Sequence, residues 1–233
     1  MAKTRTKILV WDAPVRVFHW LLVLSFTGAY LTAESERWSM VHVTLGYTLG
    51  GLLAFRILWG LIGTRHARFA SFVRGPLAVM RYGRALLNGR PEQHAGHNPA
   101  GAMAIVGLLL LSAATVATGW AIWNKLGGRW IEELHEGVAG FMLALVGVHL
   151  AGVVLTSWLH RENLVRSMLN GKKMGASEDG IRRAWRPLAL VILLGVLGFW
   201  WLQWHSAPSR TTSGGGAAAT KNAKYASHRH DDD

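Results

Sequence analysis

The chain has 233 residues, of which 51% are hydrophobic and only 16% charged, whereas ordinary soluble domains carry about 25% charged residues. Lys and Arg outnumber Asp and Glu by 25 to 13, but the basic residues sit between long apolar runs, which points to membrane topology and away from nucleic acid. The absence of cysteine excludes disulfides, iron–sulfur clusters, thiolate zinc sites and covalently attached c-type heme.

In chain order, residues 1–14 form a basic cytoplasmic N-terminal segment with Lys3, Arg5 and Lys7. It has the charge of a signal-peptide n-region, but no small-residue cleavage site follows and Arg16 and His19 interrupt the apolar run, so an uncleaved first helix is expected. Five apolar runs, 15–33, 40–62, 100–123, 134–158 and 187–204, approach the roughly 20 residues that a helix needs to cross a bilayer. Tryptophans 20, 38, 59, 120, 123, 130, 158, 185 and 204 fall near their ends as an interfacial aromatic belt. The expected fold is an all-α integral membrane helical bundle over 15–204, followed by a low-complexity, disordered tail over 205–233.

The basic residues set the orientation. The second connection carries Arg65, Arg68, Arg74, Arg81, Arg84 and Arg90, and the fourth carries Arg161, Arg166, Lys172, Lys173, Arg182, Arg183 and Arg186. The first has only Arg37, and the third Lys125 and Arg129. The positive-inside rule therefore places the N-terminus and the two long connections in the cytoplasm and, after five crossings, the C-terminus outside.

Four histidines, His19, His42, His135 and His149, lie inside the spans, where ionisable groups are expensive and mark function. His135 and His149 share one helix 14 residues apart, which returns them to within about 40° of one face and separates them by about 21 Å. Because alternate helices run in opposite directions, His42 matches His135 in depth near the outer side, and His19 matches His149 near the inner side. Two imidazole pairs stacked across a membrane suit two bis-histidine hemes, which without cysteine are non-covalent heme b. Iron saturated by two imidazoles keeps no open position and transfers single electrons. A zinc site made of all four fails on the separation of the pairs. A proton relay would want carboxylates at mid-depth, and the spans hold only Glu136, at an edge. Gly46 and Gly50 follow His42 at i+4 and i+8; they leave room for a porphyrin or simply pack helices. Arg16, one turn before His19, and Arg56, on the His42 face at the depth of the inner pair, are candidate partners for heme propionates or for lipid phosphates.

These residues resemble the bacterial cytochrome b561 family, which includes the b-type subunit of nickel–iron hydrogenases. The resemblance is carried by Trp11, Asp12, Ala13, Pro14, Val15 and Arg16 leading to His19 and Trp20, by His42 with Gly46 and Tyr47, by Arg56 with Trp59 and Gly60, by Gly96, His97, Asn98 and Pro99, and by Glu133, His135, Glu136 and His149. It implies a four-helix diheme core with His19, His42, His135 and His149 as axial ligands, to which this chain adds a fifth transmembrane helix. It also implies a multi-pass bacterial inner-membrane protein that exchanges electrons between quinone or quinol and a periplasmic redox protein, either a c-type cytochrome or a hydrogenase-like subunit. An acidic edge at Glu132 and Glu133 suits a cationic cytochrome. For His97 and His160 the choices are a place near a quinone site or helix capping and loop hydrogen bonding, and the latter is expected. The reading is an electron-transfer subunit in the lipid bilayer. The alternatives are a self-contained superoxide:quinone oxidoreductase and a non-redox histidine-lined transporter or scaffold.

Overall fold

The computed structural model describes residues 6–73, 75–88 and 96–206; His94, the tail histidines and the tail from 207 lie outside them, and residues 205 and 206, expected to be disordered, end a helix. Five long helices appear where the apolar runs are: α1 Ala13–Thr32, α2 Ser39–Ile62, α5 Pro99–Trp123, α6 Arg129–His160 and α8 Arg186–Ser206. Each is long and apolar enough to cross a membrane, and the chain is a multi-pass membrane protein. Large apolar side chains such as Leu61, Leu110, Phe141 and Val154 face outward along them, which water would not tolerate over so wide a surface. Between these helices lie α3 Phe69–Phe72, α4 Pro76–Leu87 and α7 Leu164–Asn170, none of which the basic connections had suggested.

Capping chemistry sets the helix starts. Asp12 accepts a hydrogen bond from the backbone N–H of Val15 (2.8 Å), and Asn98 accepts from that of Gly101 (2.6 Å). A proline follows within the first turn of each helix, where its missing N–H costs nothing. α6 is longer than its apolar run because Arg129, Glu132 and Glu133 continue the helix beyond the apolar boundary.

α1 and α2 pack as one antiparallel hairpin and α5 and α6 as another, with α2 against α5. The packed interior runs along α1 and α2: Val15 with Trp59 and Ala67, then Phe18 and Leu21 with Leu52, then Phe26 and Leu49 with Met142 of α6. Ile192, Leu193 and Val196 of α8 cover the middle layer.

The end of the bundle where the chain begins, called proximal below, has a roof. Strand β1 Thr6–Leu9 pairs antiparallel with β2 Lys172–Gly175, with Ile8 opposite Lys173. The Gly171 carbonyl accepts the N–H groups of both Val10 (2.8 Å) and Trp11 (3.1 Å). Gly171 has φ +81°, and a Cβ there would stand 2.6 Å from the Trp11 carbonyl oxygen, so only glycine fits. The N-terminal segment expected to be a plain cytoplasmic lead-in is thus half of a ribbon that buries Ile8, Val10 and Trp11.

Candidate heme-binding sites

At the distal end the structure brings His42 of α2 against His135 of α6. Their ring centres are 6.2 Å apart. His42 donates from Nδ1 to the Ala29 carbonyl (2.8 Å), and a carbonyl can only accept, so the proton is on Nδ1 and Nε2 keeps its lone pair. The Thr118 hydroxyl donates to the Ala114 carbonyl (2.8 Å) and so can accept from His135 Nδ1 (2.9 Å), leaving that ring in the same tautomer. These are the outer contacts that orient ligating imidazoles in metal sites. The spacing also fits a shared metal: two bonds of about 2 Å plus one ring radius on each side separate coaxial imidazole centres by about 6 Å.

Each anchor comes from the hairpin partner of the helix that carries the histidine. Ala29 lies three residues before the end of α1 and His42 three after the start of α2; Thr118 lies five before the end of α5 and His135 six after the start of α6, a wider form of the same placement. Sequence reasoning missed both anchors, although this mirror placement about a short turn could have found them. It also missed Gly119, where a Cβ would come 3.1 Å from His135 Cε1. Around His42 the glycines divide. A Cβ on Gly46 would meet nothing within 4 Å, whereas one on Gly50 would meet Val116 at 3.1 Å. Gly46 thus leaves space on the His42 helix, while Gly50 packs helices.

At the proximal end His149 is the titratable group that acts on His19. His19 Nδ1 is enclosed with no hydrogen-bond partner among the described residues. The surroundings are held by Asp12, which is 1% exposed. Beyond its helix cap, Asp12 accepts from Trp59 Nε1 (3.0 Å) and from the Thr64 hydroxyl. Trp59 is therefore buried at this carboxylate and leaves the aromatic belt, while the other eight tryptophans assigned to the belt are exposed.

The two arginines differ. Arg16 donates from Nη1 to the Leu169 carbonyl (2.6 Å) and ties α1 to α7. Arg56 is buried, donates to the Ala67 carbonyl (3.0 Å) and lies against Phe69. His97 does not cap α5, because Asn98 does; its ring sits between Trp11 and Phe72. Burial first, then the positive groups Arg56, Lys173, His66 and His149, push its pKa down to about 3. His160 is the last residue of α6, whose closing carbonyls are met by the backbone of Arg161 and Glu162.

A membrane bundle with facing, pre-oriented imidazoles defines the class of helical heme-binding membrane proteins. The family model "Prokaryotic cytochrome b561" matches residues 10–171, and the chain belongs to that family: it is a b-type cytochrome, a heme protein of electron transport. Relatives include the "Probable Ni/Fe-hydrogenase B-type cytochrome subunit" of Bradyrhizobium diazoefficiens, 24% identical over 72% of this chain and 87% of its own length. The protein of that name from Rhodobacter capsulatus is 23% identical over 73% of this chain and 83% of its own length. The "Probable Ni/Fe-hydrogenase 1 B-type cytochrome subunit" of Escherichia coli K12 is 28% identical over 50% of this chain and 60% of its own. No solved structure matches significantly. Membership in a cytochrome family favours the redox readings over the transporter or scaffold.

Proposed function

We propose that the chain is a diheme b-type cytochrome that carries electrons across the bacterial inner membrane between the quinone pool and a periplasmic redox partner. His42 with His135, and His19 with His149, are the axial ligands. Bound between two imidazoles, heme iron exchanges single electrons. The observation that carries the reading is the distal pair, with ring centres 6.2 Å apart and both Nδ1 atoms engaged from behind. The proximal end is cytoplasmic, because it collects Arg65, Arg68, Arg81, Arg84, Arg161 and Arg166. The names of the relatives make a hydrogenase the first candidate partner, docking at the distal connections near Glu132 and Glu133, with a cationic c-type cytochrome as the other.

Two one-electron carriers suit a quinol, which gives up two electrons and two protons. Arg56, buried at the depth of the proximal pair, is the better candidate for a propionate contact; Arg16 is engaged by Leu169. The test is anaerobic mixing of the purified chain in nanodiscs with a short-chain quinol. Reduction of both hemes, followed by re-oxidation by the partner, is expected. Hemes that no quinol reduces would overturn the quinone assignment.

A further inference from the structure

Two polar groups near the Phe72 ring at the proximal end have no role in ligation. Arg56 is 3% exposed, and its guanidinium carbon lies 4.8 Å from the centre of Phe69 and 6.0 Å from that of Phe72. Among the described residues no carboxylate forms an ion pair with it. Asp12 acts on it from beyond contact distance, and both Asp12 oxygens are already taken by Val15, Trp59 and Thr64. A buried guanidinium without a contacting counter-charge is strongly unfavourable. Its planar fork of donors suits a carboxylate.

His97 also lies beside Phe72, its ring centre 4.7 Å from that of Phe72 and 4.5 Å from that of Trp11. Its Nδ1 is enclosed and has no hydrogen-bond partner among the described residues, an unusual state for a buried polar atom. The titratable groups that face it are Arg56, Lys173, His66 and His149, all basic. Two of these have other work: Lys173 pairs with Glu162 (3.4 Å) and His66 donates to the Asp179 carbonyl (2.7 Å). A neutral imidazole in this positive field has one N–H to give, and an anion is the partner that would draw it.

We propose that Arg56 and His97 together receive a carboxylate of the heme held by His19 and His149, the guanidinium as counter-charge and the imidazole as second donor. The inference rests on the heme reading above and adds His97, a loop residue, to the cofactor site. The heme is preferred as the source of the carboxylate because Arg56, 14 residues beyond His42 on a similar face of α2, lies at the depth of the His19–His149 pair.

The test uses the full chain carrying heme b labelled with carbon-13 at the propionate carboxyls, followed by redox-difference infrared spectroscopy. Labelled carboxylate bands are expected to shift in Arg56→Gln and in His97→Gln and to stay in place in the exposed control Arg65→Gln. Labelled bands unmoved in both variants, with the axial heme spectrum intact, would overturn the proposal. So would shifts confined to unlabelled bands, which would identify a free carboxylate as the occupant. If Arg56→Gln fails to fold, His97→Gln with Arg56→Lys decides alone: bands unmoved in His97→Gln refute the role of His97. If His19→Ala and His149→Ala leave the heme content unchanged, the heme reading of this end fails, and the proposal fails with it.

Discussion

The two ends of the bundle present the same side chain in opposite settings. At the distal end each imidazole is steered from behind by one local contact, the Ala29 carbonyl for His42 and the Thr118 hydroxyl for His135. The surrounding side chains Tyr30, Trp120 and Leu134 are open. The proximal end is roofed by the ribbon and aromatic rings and holds the buried charges of Asp12 and Arg56. The difference teaches that orientation and insulation are separate tasks. The distal end fixes the orientation of its imidazoles among open side chains, and the proximal end encloses its polar groups and adds buried charge.

Substitutions can break or sharpen that contrast. The largest effect is expected from the ligands: His42→Ala or His135→Ala should remove one heme, and His19→Ala or His149→Ala the other, counted by pyridine hemochrome. Loss of both hemes from every variant would erase the distinction between the ends. Next, Asp12→Ala removes a cap and two buried hydrogen bonds to a charged group, a loss of about 3 kcal/mol or more. Thermal unfolding should show the destabilisation, with release of the proximal heme first. Thr118→Val should be milder. Losing one hydrogen bond costs about 1 kcal/mol, and outer-contact losses weaken metal sites about 10–100-fold; heme titration should show the weakening at the distal site alone. Smallest is Arg129→Ala. Its ion pair with Glu133 has side chains 88% and 67% exposed, and surface pairs of this kind contribute little, so neither heme content nor melting temperature should move.

The spans were legible because membrane crossing writes itself into twenty-residue apolar runs, and the approach of His42 to His135 because helix rise and direction are fixed by chain order. The anchors were not, since Ala29 contributes a backbone carbonyl that no side chain advertises. The roof was hidden for another reason. Residues 6–9 and 172–175 are four-residue strands far apart in sequence, and their pairing depends on tertiary closure through Gly171. Asp12 was visible only as part of a family motif, and its triple engagement explains why Trp59, placed at a helix end by sequence, turns inward. His97 was misread as a capping residue because the adjacent Asn98 carries that role.

The central claim is that each end of the bundle holds one heme between two imidazoles. The most direct measurement is the heme-to-chain ratio of the purified protein together with its low-temperature electron paramagnetic resonance spectrum in the oxidised state. Two hemes per chain with two low-spin, bis-imidazole ferric signals are predicted. A single heme, or a high-spin ferric signal from an iron with an open position, would contradict the account.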